Sequence, residues 1–142
     1  MTVWAIADLH LSLGVSDKKM DIFGWDNHEK RLADNWRSSI SPDDLVLIPG
    51  DISWALKIDE VKPDLDFLHA LPGTKVLLKG NHDYWWPSNQ KLQALLPPSI
   101  HFIHNTAFHW HDIAIGGTRL WDSPEFHFDY ELKEDPSPIY ER

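Results

Sequence analysis

The apolar residues in the first half of the chain form three short runs separated by two stretches with helical spacing. The runs occupy positions 2–7, 45–48 and 75–79, and each is short, apolar and bounded by polar or turn-forming residues, as buried strands of a parallel sheet are. Between the runs, apolar side chains recur every three or four residues over 28–40 and 59–71, which predicts two amphipathic helices. This order predicts parallel strands joined by helical crossovers.

Beyond the third run the pattern changes to shorter elements. A short helix is predicted over 88–96, and three strands with tight turns follow at 100–104, 107–110 and 113–116. His111 and Asp112 occupy the predicted hairpin tip. A parallel start followed by an antiparallel meander indicates a mixed α/β architecture.

These patterns divide the chain into three parts of one domain, 1–142. Residues 1–86 form the βαβαβ part, and 87–121 contribute the short helix and the antiparallel strands. Residues 122–142 form an acidic, proline-containing connection. Within it, the pair Ser137-Pro138 has the form of a helix start.

Composition excludes several classes of protein. The chain has 13 Lys and Arg against 22 Asp and Glu, a net charge of −9, which disfavours non-specific binding to nucleic acid or to anionic membranes. It contains no cysteine, so disulfide scaffolds, thiolate metal sites and cysteine nucleophiles are excluded. The longest aliphatic run, 45–48, is far too short to span a membrane, and the N-terminus lacks a basic signal region. We therefore expect a cytoplasmic protein that binds neither nucleic acid nor membranes.

Polar residues suited to metal binding follow each of the three predicted strands. In chain order they are Asp8, His10, Asp51, Asn81 and His82. The carboxyl ends of parallel strands meet at one edge of a sheet, so we expect these side chains to lie together. Carboxylate, imidazole and amide oxygen suit Mn, Fe or Zn. Asp51 can bridge two ions, and two ions about 3.5–4 Å apart can hold a hydroxide for in-line attack on a phosphoryl group.

Three motifs resemble the signature of the calcineurin-like metallophosphoesterase superfamily. They are Asp8-Leu9-His10, Gly50-Asp51 and Gly80-Asn81-His82-Asp83, in this order. The phrases around them are similar to a group of small bacterial phosphohydrolases. The resemblance implies an α/β fold in which a β-sandwich of two mixed sheets is flanked by helices (αββα).

The resemblance also implies a role for each motif residue. Asp8 and His10 would ligate the first metal ion, Asp51 would bridge, and Asn81 would ligate the second ion. His82 would stand beside the substrate phosphate as the acid or as a charge stabiliser. Two divalent ions are implied, with Mn preferred over Fe or Zn, and the substrate would be a small phosphate ester.

Three further residues are candidates from their chemistry and position. Arg119 can grip a phosphate bidentately, or it is an ordinary surface arginine. Trp54 follows the Gly50-Asp51 motif and either lines a substrate cleft or closes the core beneath the loops. Asp83 either orients His82 or is a plain turn residue.

The sequence departs from the family pattern at its C-terminal end. That pattern continues with an isolated His and a Gly-His-x-His segment that complete both metal sites, and this sequence contains no Gly-His dipeptide. The trio His109-Trp110-His111 is similar to that segment, but its place at a predicted hairpin tip argues against a ligand role.

We therefore expect the chain to be the N-terminal portion of such a domain, with a C-terminal part missing, and to self-associate through exposed apolar sheet surface. The leading function is metal-dependent hydrolysis of a phosphate mono- or diester. The alternative is a non-catalytic metal-binding or scaffold module that retains half of the site.

Overall fold

A computed structural model describes residues 1–119, which form an α/β arrangement built on a parallel sheet. Four strands lie in the order β1-β2-β3-β4, and every neighbouring pair is parallel. Their bounds are β1 Val3–Ala5, β2 Leu45–Ile48, β3 Thr74–Leu77 and β4 Ile100–Phe102. Because the spatial order follows the chain order, right-handed crossovers place the connecting helices on one face.

Three helices form these crossovers and cover that face of the sheet. They are α1 His28–Ser39, α2 Ile58–His69 and α3 Asn89–Leu95, and a 3₁₀ helix, Met20–Phe23, precedes α1. The apolar side of each helix, with Trp36, Leu65 and Leu92, packs in one core cluster with Ile48 and Leu77 of the sheet. The predicted alternation of strands and helices is confirmed.

An antiparallel hairpin covers the opposite face of the sheet. Strand β5, Thr106–Trp110, pairs with β6, Ile113–Gly117, and the turn falls at the predicted tip. Phe108 and Ile115 of the hairpin pack against Leu45 and Val76 of the sheet. The layers are therefore helices, parallel sheet and hairpin, and within residues 1–119 this hairpin is the only part of a second sheet.

Two details of the sequence prediction are wrong. The segment 100–104 does not open an antiparallel meander: β4 pairs in parallel with β3, because α3 makes a third crossover. The first strand is not buried, since Val3, Trp4 and Ile6 are 43%, 37% and 36% exposed. Within residues 1–119, β1 is an edge strand that pairs with β2 alone, which leaves its side chains open to solvent.

Some predictions concern residues that the structure does not describe. The acidic connection, 122–142, and its helix start at Ser137-Pro138 lie outside residues 1–119. For the described residues, no helix combines the length and the apolar character needed to cross a bilayer.

Lys75 in β3 has a fully buried side chain, which makes the stability of the chain depend on pH. Its ammonium donates a hydrogen bond to the carbonyl oxygen of Leu71, and burial lowers the pKa of Lys75 to about 8. Unfolding restores the pKa to its ordinary 10.5, so between these values the unfolded chain binds more protons than the folded chain. We expect the free energy of unfolding to rise through this window, by up to about 1.4 kcal/mol per pH unit.

Urea unfolding at several pH values between 7.5 and 10 measures this effect. Lys75→Met removes the titrating group and keeps most of the side-chain volume, so its stability should rise less with pH than that of the wild type. Parallel pH profiles for the two proteins would contradict the assignment to Lys75.

Candidate metal centre

The loops that follow β1 and β2 run side by side and carry three of the predicted site residues. The backbone N–H of Asp8 donates to the carbonyl oxygen of Gly50 at 3.1 Å, and the N–H of His10 donates to that of Asp51 at 3.0 Å. The parallel pairing therefore continues past the strand ends. It places Asp8 and His10 directly beside Asp51.

Two glycines allow the loops after β2 and β3 to approach each other. Gly50 has a φ of 115°, and a Cβ on it would lie 2.7 Å from the Cα of Gly80. A Cβ on Gly80 would lie 2.0 Å from Oδ1 of Asp51, which also accepts a 3.0 Å hydrogen bond from the backbone N–H of His82. The close approach thus fixes the Asp51 carboxylate between the two loops.

Asp8, His10 and Asp51 form a compact group of candidate metal ligands. Their ligand atoms all lie within 4.8 Å of one another. Nε2 of His10 is 3.7 Å from Oδ1 of Asp8 and 3.9 Å from Oδ2 of Asp51. Two ligands that each bind one ion at about 2.1 Å can lie at most about 4.2 Å apart, so both measured distances suit a shared ion.

The electrostatics of the group also favour a cation. Burial lowers the pKa of His10, while the carboxylates of Asp51 and Asp8 oppose this shift, and the neutral imidazole that results is the metal-binding form. Asp51 is only 7% exposed, and a cation at this position would offset the repulsion between its carboxylate and that of Asp8. Two carboxylates and an imidazole fit the Mn, Fe or Zn ions expected from the sequence.

The backbone is strained at these three residues. Asp8, His10 and Asp51 have φ angles of 58°, 45° and 52°, in the left-handed region that costs a non-glycine residue about 1–3 kcal/mol. Of the six non-glycine residues with positive φ within 1–119, half are these candidate ligands. Such strain concentrates at functional sites, where the surrounding structure holds ligands in a fixed geometry.

A cavity of about 350 Å³ lies at the carboxyl ends of the strands and is lined by Asp8 and Asp51. Asn81, Lys79 and Arg119 also line it. The structure therefore brings Asn81 to the same space as Asp51, as a second metal site requires, and Arg119 borders that space. The roles of Asn81 as a metal ligand and of Arg119 as a phosphate ligand stay predictions.

His82 and Trp54 lie beside His10. The Trp54 ring stacks on the His10 imidazole, with 4.5 Å between centroids and 20° between planes. The His82 ring lies 5.8 Å from that of His10 and 5.3 Å from that of Trp54. His82 thus stands next to the cluster, as the sequence predicts. Trp54 contacts a candidate metal ligand and is not among the residues that line the 350 Å³ cavity.

Asp83 is fully buried and connects the loops after β2 and β3. Its carboxylate accepts four hydrogen bonds of 2.8–3.3 Å, from the backbone N–H groups of Gly80, Ile52 and Ser53 and from the indole N–H of Trp85. The sequence left open whether Asp83 orients His82 or is a turn residue. In the structure it fixes the backbone of both loops that carry Asp51 and Asn81.

Asp64 of α2 is a structural residue that the sequence analysis missed. It accepts a 2.8 Å hydrogen bond from the N–H of Leu13 and another from the hydroxyl of Ser53, and burial raises its pKa to about 6. It thereby ties the segments that follow His10 and Asp51. A carboxylate on the apolar side of a helix, three residues after Val61, is the signal that could have revealed it.

Two basic side chains lie near the candidate metal ligands. Lys18 belongs to the segment before α1, and His28 is the first residue of α1. The Lys18 ammonium lies 5.5 Å from the centroid of the Trp54 ring. His28 forms a 2.7 Å hydrogen bond from Nε2 to the carbonyl oxygen of Leu9. The sequence indicates only a loop at Lys18, because nothing in its neighbourhood marks it as part of a site.

The hairpin histidines are not among the candidate metal ligands found within residues 1–119. His109 belongs to β5 and His111 to the turn, and neither joins a group of residues within 1–119 that could hold a metal ion. That the two histidines are not a ligand pair stays a prediction.

Comparisons with known proteins point to the same family as the three motifs. The model of the calcineurin-like phosphoesterase family matches residues 1–138. The Gene 66 proteins of the Mycobacterium phages L5 and D29 are 31% and 37% identical to the chain over 97 and 84 residues, which cover 66% and 57% of this chain and 45% and 40% of theirs. The [acyl-carrier-protein] phosphodiesterase PptH of Mycobacterium tuberculosis is 31% identical over 93 residues, 65% of this chain and 24% of that protein. The chain thus spans less than half the length of these relatives.

A solved structure supports the fold. It is that of AQ665, a protein of unknown function from Aquifex aeolicus, with a TM-score of 0.50 and 19% identity over 80% of this chain and 58% of the other. At this identity the similarity bears on the α/β fold alone. The family model covers nearly the whole sequence, and the three motifs meet at one edge of the sheet. The chain therefore belongs to the calcineurin-like phosphoesterase family.

Proposed function

We propose that the protein is a metal-dependent phosphoesterase that hydrolyses a small phosphate mono- or diester with two divalent ions, Mn²⁺ in preference to iron or zinc. The observation that carries this proposal is the compact group of Asp8, His10 and Asp51 at the carboxyl ends of parallel strands. Membership of the family and similarity to the mycobacterial phosphodiesterase support it.

The three grouped residues would hold the first ion, and Asp51 with Asn81 would hold the second. Asp51 suits the shared position, because its Oδ2 lies toward His10 while its Oδ1 is fixed by the N–H of His82. When bound, divalent ions supply a water of lowered pKa and positive charge beside the phosphoryl oxygens. Arg119, which lines the same cavity, would bind a phosphate oxygen and orient the ester.

His82 would protonate the leaving group or stabilise its developing charge, since its ring lies beside His10. We expect His82→Gln to keep metal affinity and to lower kcat/KM about 10²–10⁴-fold for an alkyl phosphate, whose leaving group needs a proton. The loss should be smaller for p-nitrophenyl phosphate, because p-nitrophenolate leaves without protonation. Equal losses on both substrates would contradict the acid role.

An assay with generic substrates tests the proposed activity. The purified protein is stripped with EDTA and supplied with Mn²⁺, Fe²⁺ or Zn²⁺, then given p-nitrophenyl phosphate or bis(p-nitrophenyl) phosphate. We expect hydrolysis that depends on the added metal and disappears in Asp51→Ala. Metal binding without hydrolysis of either ester would overturn the proposal and favour the non-catalytic metal-binding module.

We further propose that the protein acts in the cytoplasm on a small soluble ester, without nucleic acid or membrane partners. The net charge of −9 supports the absence of such partners, because an acidic protein is repelled by nucleic acid and by anionic membranes. The exposed apolar side chains of β1 support the proposal that the chain associates with itself. Light scattering that shows a strict monomer with and without Mn²⁺ would contradict the proposed self-association.

A further inference from the structure

Within residues 1–119, His10 lacks the hydrogen bond that usually orients a metal-binding imidazole. Its Nε2 lies near the carboxylates of Asp8 and Asp51, so Nδ1 is the nitrogen away from the candidate metal position. In metal sites that second nitrogen normally donates to a carboxylate, a carbonyl or water, which fixes the ring. Here Nδ1 is buried and has no hydrogen-bond partner within residues 1–119.

The aromatic ring of Trp54 contacts His10 instead. The two rings are nearly parallel, at 20°, with centroids 4.5 Å apart. The backbone N–H of Trp54 donates a 2.9 Å hydrogen bond to the carbonyl oxygen of Leu11, which ties Trp54 to the loop that carries His10. The indole therefore has a fixed place from which it can restrict rotation of the imidazole.

Packing sets the position of the indole. Its Nε1 is buried and has no hydrogen-bond partner in the described part of the chain. The ring instead makes contacts through its faces and edges, with His10, with His82 at 5.3 Å and with the Lys18 ammonium at 5.5 Å. A half-buried tryptophan held in this way acts by ring contact, so another planar ring should partly replace it.

We propose that Trp54 is a positioning residue of the metal centre. By stacking on His10 it holds Nε2 toward Asp8 and Asp51, a task that no hydrogen bond at Nδ1 performs within residues 1–119. This inference rests on the metal site of the proposed function. It assigns Trp54 to the support of a ligand, whereas the sequence left open whether Trp54 lines a substrate cleft or closes the core beneath the loops.

The affinity of the protein for Mn²⁺, measured by titration calorimetry, tests the role of Trp54. Trp54→Leu should weaken Mn²⁺ binding about 10–100-fold, the usual effect of losing a group that orients a metal ligand. Trp54→Phe retains a planar ring and should restore most of the affinity. Trp54→Met, which fills space without a ring, should behave as Trp54→Leu does.

Trp110→Leu is the matched control. Trp110 is also half-buried, stacks on Phe108 at 21° and has a buried Nε1 with no partner within residues 1–119, but it belongs to the hairpin strand β5. Its replacement should leave Mn²⁺ affinity unchanged. Thermal unfolding of each metal-free variant shows whether it is folded.

Several results would overturn the inference. One is wild-type Mn²⁺ affinity in Trp54→Leu and Trp54→Met, and another is an equal loss of affinity in Trp54→Phe and Trp54→Leu. A loss of affinity in Trp110→Leu equal to that in Trp54→Leu would also overturn it, as would unfolding of both ring-free variants, which would assign Trp54 to the core. Failure of the wild type to bind Mn²⁺ would overturn the metal centre and this inference together. Metal binding without ester hydrolysis would overturn only the proposed activity.

Discussion

Gly80→Ala should remove metal binding and, with it, hydrolysis of phosphate esters. The new Cβ would lie 2.0 Å from Oδ1 and 2.2 Å from the backbone nitrogen of Asp51, far inside van der Waals contact. The carboxylate or its loop must therefore move by about 1 Å, a misplacement that alone costs roughly 10²-fold in rate. Because Asp51 would serve both ions, we expect the loss at both sites. Mn²⁺ titration and kcat/KM for p-nitrophenyl phosphate measure it.

Gly116→Ala provides the control for this experiment. Gly116 lies in β6, and a Cβ there would meet no atom within 4 Å, so metal binding and hydrolysis should match the wild type. Wild-type Mn²⁺ affinity in a folded Gly80→Ala protein would contradict the position that we assign to Asp51.

Asp83→Ala should cause the largest loss of stability among single substitutions near the site. It leaves three backbone N–H groups and one indole N–H in the core without their acceptor. Each buried donor left unsatisfied costs about 1–3 kcal/mol, so we expect the free energy of unfolding to fall by at least about 3 kcal/mol. Urea unfolding of the metal-free protein measures this fall.

Asp83→Asn separates the hydrogen bonds from the volume of the side chain. Its amide oxygen can still accept from Ile52, Ser53 and Trp85, whereas its NH₂ group would face the N–H of Gly80. We therefore expect a loss smaller than that of alanine. Wild-type stability of the alanine variant would show that the carboxylate does not hold the two loops together.

The order of the strands and helices and the location of the site could be predicted from the sequence for physical reasons. Short apolar runs and helical periodicity determine the alternation of strands and helices. Parallel strands bring their carboxyl ends to one edge, so residues that follow β1 and β2 had to meet there. Asp8, His10 and Asp51 lie together for that reason.

Other features depend on contacts between distant segments, which periodicity does not encode. Strand β4 joins the parallel sheet because of a crossover through α3, while its sequence alone fits an antiparallel meander equally well. The stacking of Trp54 on His10 joins two loops 44 positions apart in the sequence, and only their three-dimensional pairing reveals it. The position of Asp64, a carboxylate on the apolar side of α2, is visible in the sequence. The loop segments to which it hydrogen-bonds are visible only in the structure.

Titration with Mn²⁺ of the wild type, Asp51→Ala and Asp34→Ala decides whether the grouped residues form a metal centre. Asp34 is an exposed carboxylate of α1, in an ion pair with Lys30, and serves as the matched control. We expect saturable binding by the wild type and by Asp34→Ala, and a loss of at least about 100-fold in affinity in Asp51→Ala, because one ligand disappears and the charge of the group falls. Equal Mn²⁺ affinity in all three proteins, or no binding by the wild type, would contradict the metal centre and the phosphoesterase function built on it.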